Sequence, residues 1–265
     1  MEIANSLRIT QTASTVAELM GFSMGPEADQ ANQLVLDKAA NLLGGRKVER
    51  ALLYNPDAVA LWLYQKYTDL FEQVVMNSSM ALPIRSVMPS VTPVCFASMY
   101  SGLLPEKHGI QAYVKPVLTV ETFFDRALAA GHKPIIISTA GDSISMIFLE
   151  RKMDYIICNT PDECNEAALE ILRRNEHDLI VVYNGNFDTV MHRYGPESPE
   201  ALQELRHNTR SFEMLSCAAR EAWKGMPAMA AYLPDHGCHE IDGQLGSHGL
   251  DMPEDMNIIH FYEFF

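Results

Sequence analysis

Four places in the chain carry oxygen and nitrogen donors at spacings that could do chemistry. The first is Thr92, followed by Pro93 and a run of small and apolar residues that stops at Gly102. Thr92-Pro93 reads as the start of a helix, with Thr92 at the N-cap and Pro93 at the first helical position, where its missing N–H leaves no bond unmade. A hydroxyl there lies at the positive end of the helix dipole, which suits a phosphate. It serves equally as a plain cap, and this stretch alone leaves both roles open. The second place is Asp57, after a short apolar run. The third is Asp188 with His192, four residues on and so on the same face if the segment is helical. The fourth is Asp235-His236, with His248 beyond it in Gly246-Ser247-His248-Gly249. Each is weak alone, because an aspartate after a strand can merely cap the next helix and an Asp–His pair can be hydrogen-bonded structure. As a set, three carboxylates and three imidazoles suit Zn2+ or Mn2+. Two such ions a few Å apart can activate a nucleophile and stabilise a leaving oxygen.

The elements that must position these residues follow from apolar runs and breakers. Strands are expected over 48–55, 84–88, 134–139, 155–158, 179–183, 228–233 and 258–264. Helices are expected over 14–20 (from a Thr15/Glu18 capping box), 28–43, 61–75, 120–130, 142–151, 161–174 and 199–223. Strands alternating with helices of this length predict an α/β fold, a three-layer α/β/α sandwich around a mostly parallel sheet. The donors then fall at the carboxy-terminal ends of strands, the edge where such sheets carry their sites. Residues 1–47 read as a helical N-terminal extension packed on the core, without chemistry of its own. No repeat or linker divides the rest.

Bulk composition narrows the partners. The 265 residues carry a net charge of −14, which argues against a nucleic-acid polymer, since phosphate backbones require basic surface. A small phosphate substrate stays compatible, because bound cations reverse the local field. Five cysteines, an odd number without a CxxC pair, fit a reducing compartment. The N-terminus lacks a basic and apolar leader and no run is long enough to span a bilayer, so a cytoplasmic protein with no membrane association is expected. The acidic surface and helical extension permit a homodimer.

The stretch 92–110 resembles the nucleotide pyrophosphatase/phosphodiesterase branch of the alkaline phosphatase superfamily. That branch has a nucleophilic Thr, a Thr-Gly or Ser-Gly pair, and then Pro-Glu-x-His-Gly-Ile; here these are Thr92, Ser101-Gly102 and Pro105-Glu106-Lys107-His108-Gly109-Ile110. The resemblance continues through the metal motifs in chain order and covers about residues 48–265. It implies an alkaline phosphatase-like, metal-dependent hydrolase domain with two divalent ions, Zn2+ or Mn2+. Asp188, His192 and His248 would hold one ion. Asp57, Asp235 and His236 would hold the other, with Thr92 touching it and attacking phosphorus to give a phospho-threonine. Phosphodiester or pyrophosphate bonds are the implied targets, with a phosphomonoester or a phosphonate as the alternative. No room is left for the large cap insertion of mutase relatives.

The chain also departs from that family. Ala58 replaces a usual Gly, Cys95 replaces a usual Asn, and Gln111-Ala112-Tyr113 stands where a further Asn commonly helps hold a phosphoryl oxygen. Pro93 removes a backbone donor next to the nucleophile. Gln111 or Tyr113 is expected to supply the missing donors as a substrate contact. Without them the rival is a metal-binding regulatory module weak in catalysis. His108 reads as structural, His239 as off the motif, and His260 as core or surface.

Overall fold

The computed structural model describes residues 6–265 and builds the apolar runs into a seven-stranded sheet. The chain begins with α1 (Gln11–Met20) and α2 (Gln33–Leu43) and joins the sheet at β1 (Arg50–Pro56). It passes through α3 (Leu61–Lys66), a 3-10 turn at Thr68–Phe71 and α4 (Glu72–Met76) to β2 (Met80–Arg85). Then come α5 (Thr92–Ser101), the one-turn α6 (Pro105–His108), α7 (Phe123–Ala129) and β3 (Pro134–Thr139). α8 (Ser143–Ile147) leads to β4 (Asp154–Cys158), and α9 (Pro161–Arg174) leads to β5 (Leu179–Asn184). α10 (Asn186–Tyr194) and the long α11 (Pro199–Ala222) precede β6 (Ala228–Tyr232). A hairpin of β7 (His239–Ile241) and β8 (Leu245–Ser247), then α12 (Pro253–Met256), separate it from β9 (Asn257–Phe264).

The strand order is β2-β9-β6-β1-β5-β3-β4. The five strands β6-β1-β5-β3-β4 pair in parallel, and β9 runs antiparallel to both of its neighbours. Successive side chains of a strand face opposite sides, so the sheet feeds two cores. Ala51, Leu53, Val181 and Met229 pack with α1, α2, α5, α7 and α8. Leu52, Ile180, Val182 and Ala230 pack with α3, α9, α10 and α11. This is the three-layer α/β/α sandwich, with the mostly parallel sheet, that the alternating pattern predicts. Ile9, Ala13, Val16, Val35 and Ala39 belong to the same buried cluster as Val94 and Tyr100 of α5, so the N-terminal helices share the core of the sheet. Residues 7–9 also run along the outer edge of β2, where Ile9 N donates to Arg85 O at 2.9 Å. Among the described residues no helix is long and apolar enough to cross a membrane.

Several boundaries move for identifiable reasons. α1 starts at Gln11, three residues before the expected start, and Thr15 is no cap: its hydroxyl donates to Gln11 O and accepts from Asn32 N. α2 starts at Gln33 rather than at 28, because Asn32 caps it by accepting from Leu34 N. The single helix expected over 61–75 is three pieces, interrupted where Tyr67 leaves helical geometry at φ −119°, ψ 45°. β2 starts four residues before the expected 84–88 strand and overlaps it only at Ile84 and Arg85, since its register against β9 runs from Met80↔Tyr262 to Arg85↔Asn257. The short, polar β7–β8 hairpin is not expected from the sequence, and α10 enters there only as a possible helical turn under Asp188 and His192, although Phe187, Val190, Met191 and Tyr194 stand at helical spacing.

Of the buried histidines outside the ligand set, His108 and His260 are shifted furthest from the ordinary range. His108 locks the turn after α5: its Nε2 lies 2.9 Å from Ser98 Oγ, and its Nδ1 accepts from Ile110 N. His260, fully buried on β9, donates from Nε2 to Pro234 O at 2.9 Å. Burial lowers the pKa of each to about 4. A histidine that stays neutral when folded binds fewer protons than its unfolded counterpart between pH 4 and 6.5, so its contribution is intact above 6.5 and is lost as pH falls toward 4. Denaturant titrations across that window should show His260→Gln losing less stability on acidification than the parent chain, by up to about 3 kcal/mol. Parallel curves would show that His260 does not titrate in this way.

Candidate metal centre

The ends of three parallel strands bring the donors to one place. β1 ends in Asn55-Pro56, and Asn55 ties it to the neighbouring layers: its amide donates to Leu233 O at 2.9 Å and its carbonyl accepts from Tyr100 Oη of α5 at 2.6 Å. Asp57 follows at once, its N–H held by Asn184 O at the end of β5. Ala58 sits in the left-handed region at φ 62°, a conformation that glycine adopts freely and in which the alanine side chain costs about 1 kcal/mol. Ala58 N donates to Asp235 Oδ1 at 3.3 Å, coupling the ends of β1 and β6. Ser86 Oγ donates to Asp235 O at 2.6 Å from the other side.

Thr92 is the first residue of α5, and the N-cap is Val91. The capping alternative therefore falls away. Val91 O accepts from both Val94 N and Cys95 N, and Thr92 Oγ1 turns instead toward Asp57 Oδ2 and His236 Nε2, 3.3 Å from each. One oxygen or nitrogen from each of Asp57, Asp235 and His236 lies within 4.8 Å of the others, and the same holds for Asp188, His192 and His248. The two groups adjoin through His236 and His248, whose rings stack with centroids 4.1 Å apart. Asp188 and His192 share a face of α10. The hairpin delivers the rest: His192 Nδ1 donates to Gly246 O and His248 Nδ1 to Ser90 O, both at 2.9 Å. Gly246 is required for this approach, because a Cβ there would lie 2.3 Å from Met191 Sδ.

All three imidazoles are oriented alike. His192, His236 and His248 each donate from Nδ1 to a backbone carbonyl, so each Nε2 points inward, the arrangement that prepares a histidine to bind metal. Inside, Asp57 Oδ1, Asp188 Oδ1 and Asp235 Oδ2 are buried without a hydrogen-bond partner, facing those Nε2 atoms at 3.3–3.4 Å. Buried carboxylate oxygens without donors are costly. A divalent cation at each donor group would satisfy them, and the mixed O/N donor set is of a kind that suits Zn2+ or Mn2+. Without cations the cluster gathers protons. Burial, reinforced by the Asp188 carboxylate, pushes Asp57 up to about 7, and burial raises Asp235 well above the ordinary range. The Asp188 carboxylate raises His192 to about 9. His236, fully buried, is lowered to about 3.

Asp57 and Asp188 also border a cleft of about 340 Å3 along the ends of β3, β4 and β5. Tyr113, Lys115, Asn159 and Asn186 line it. Gln111 is solvent-exposed and outside this lining, whereas Tyr113 is inside it; burial, then Asp57 and Asp188, raise the Tyr113 hydroxyl pKa. Cys95 is fully buried, its Sγ 3.2 Å from Ser86 Oγ, with burial raising its pKa well above a thiol's usual value. His239 donates from Nδ1 to the buried Asp255 at 2.7 Å, and Asp255 also accepts from Leu250 N, so this pair anchors the loop carrying His248. Asp255 and Tyr183 are the residues that motif reading missed. Tyr183 offered only one signal, its place at the end of the plainest strand.

Metal-stripped protein should take up two equivalents of Zn2+ or Mn2+, releasing protons. Uptake should weaken as pH falls below about 7, where Asp57 takes up a proton that competes with the ion. Calorimetry in buffers of different ionisation enthalpy measures both; uptake without proton release would contradict the protonated cluster.

Known proteins can be set beside this geometry. The family model described as type I phosphodiesterase / nucleotide pyrophosphatase matches residues 57–141, a span from Asp57 past Thr92 and the Pro105–His108 turn. No curated protein matches the chain in sequence. Among solved structures, human ectonucleotide pyrophosphatase / phosphodiesterase 5 superposes with a TM-score of 0.61 at 14% identity, over 81% of this chain and 87% of that one. The murine protein, as an inactive Thr-to-Ala variant in complex with AMP, gives 0.57 at 17% identity over 73% of this chain and 58% of the other. The murine protein without that substitution gives 0.55 at 18% identity over the same shares. By the sequence match over residues 57–141 and the shared fold, the chain is similar to the type I phosphodiesterase / nucleotide pyrophosphatase family and has the alkaline phosphatase-like α/β fold of these structures.

Proposed function

We propose that this chain hydrolyses phosphodiester or pyrophosphate bonds in small substrates, using Thr92 as nucleophile beside two divalent metal ions. The observation that carries the reading is the position of Thr92 Oγ1, 3.3 Å from both Asp57 Oδ2 and His236 Nε2, two members of one three-donor group that adjoins the second through His236 and His248. The ions, Zn2+ or Mn2+, would be held by Asp57, Asp235 and His236 and by Asp188, His192 and His248. When bound they supply positive charge for the phosphoryl oxygens and lower the pKa of a nearby hydroxyl or water. Asp57 Oδ2 accepts the Thr92 hydroxyl proton and so aims an oxygen lone pair outward. A bond forms from Thr92 Oγ1 to phosphorus as the bond from phosphorus to the leaving oxygen breaks, giving a phospho-threonine. Water then attacks the same phosphorus, the bond from phosphorus to Oγ1 breaks, the phosphoryl product leaves carrying the water oxygen, and a proton from that water restores the threonine hydroxyl. The match to the family model over Thr92 supports this assignment, as does the inactivity of the murine neighbour's Thr-to-Ala variant. That variant's AMP complex supports a nucleotide-like substrate.

A second reading is favoured by one feature. Pro93 has no N–H, those of Val94 and Cys95 are both given to Val91 O, and Gln111 is exposed, so few protein donors remain for a phosphoryl oxygen. A metal-binding module weak in catalysis would look the same. The metal-loaded chain should turn over bis-p-nitrophenyl phosphate faster than p-nitrophenyl phosphate, and Thr92→Ala should reduce that rate at least about a thousandfold. Mass spectrometry of acid-quenched reactions should find phosphate on Thr92. A residual rate that Thr92→Ala leaves unchanged would favour the module. Tyr113→Phe should lower turnover about tenfold or more without altering the melting temperature if Tyr113 replaces the family's asparagine; an unchanged rate would leave the phosphoryl oxygen to the metals alone.

A further inference from the structure

The geometry points to Tyr183 as a positioning residue that sorts the two oxygens of Asp57, holding one for the protein and leaving the other for a cation. This role rests on the two-metal reading above. Asp57 Oδ2 accepts from Tyr183 Oη and from Thr92 Oγ1, while Oδ1 has no hydrogen-bond partner and faces His236 Nε2 at 3.3 Å. A carboxylate free to rotate would exchange its oxygens; a tyrosine donor fixes which one is spoken for. Asp235 is treated the same way, with Oδ1 held by Ala58 N and Oδ2 bare.

The ring is itself fixed from two sides. Odd-numbered residues of β5 face α5, and Tyr183 meets Phe96 of that helix edge-on, with centroids 5.6 Å apart at 77°. On the other side the chain passes so close that only glycine fits. A Cβ on Gly185 would lie 2.7 Å from Tyr183 Oη and 3.1 Å from two ring atoms, although Gly185 has an unremarkable backbone φ of −98°. Glycine at 185 is therefore demanded by the tyrosine, not by a turn.

Titration of the metal-stripped chain with Mn2+, followed by bound-metal counting, tests this. The wild-type chain should bind two ions. Tyr183→Phe should weaken one of them about 10- to 100-fold and leave the other, with the melting temperature of the metal-free protein unchanged. Gly185→Ala, which keeps the hydroxyl but displaces it, should give the same selective loss. Asp188→Asn should weaken the other ion, which identifies the two sites. Wild-type affinities in both Tyr183→Phe and Gly185→Ala would overturn the role, as would a loss of stability with both affinities reduced alike. A wild-type chain that takes up no divalent ion would instead remove the two-metal reading, and this role with it.

Discussion

The constraint behind this structure is electrostatic. Asp57, Asp188 and Asp235 each present a buried carboxylate oxygen without a hydrogen-bond donor, and three imidazoles turn their Nε2 atoms toward the same space. Nothing but protons or cations can occupy the centre of such a set at tolerable cost. The surrounding chain supplies what keeps it from relaxing. Backbone carbonyls fix every imidazole from behind, and Ala58 N and Tyr183 Oη hold the second oxygens of two carboxylates.

That centre is possible because of where a parallel sheet ends. Adjacent strands β5, β1 and β6 finish side by side, so Asp57, Asp188 and Asp235, far apart in sequence, are a few residues past neighbouring strand ends. The asparagines at those ends do the fastening. Asn55 joins β1 to the chain after β6 and to α5, and Asn184 donates to Tyr54 Oη, which in turn donates to Asn208 of α11. These bonds link both helical layers to the strand ends. They give the buried Tyr54 and Tyr100 polar partners that a purely apolar core would not offer.

The comparison with sequence reading is uneven for physical reasons. Strands β3 and β5 and helix α9 were legible because continuous β-branched runs and a Thr160-Pro161 start have few competing conformations. α10 and the β7–β8 hairpin were not, though they carry or orient His192 and His248. The two elements pack on each other, down to the close approach of Gly246 to Met191, and that packing joins segments remote in sequence. Thr92 read equally well as a cap. Only the position of Val91 as the true N-cap, and the turn of Oγ1 toward Asp57, distinguishes the two.

From residue types and order alone came the layered α/β class, the ligand types and the resemblance that groups them, because hydrophobic alternation and donor chemistry are local properties. The tertiary structure decided which atoms meet. It gave Asp57 one tethered oxygen and one bare one, buried Cys95, left Gln111 in solvent, set Tyr113 in the cleft and brought Tyr183 to the centre. Those outcomes depend on the angle at which α5 crosses the strand ends and on a glycine two residues beyond Tyr183, and such distances between remote segments are not written in any single stretch of chain.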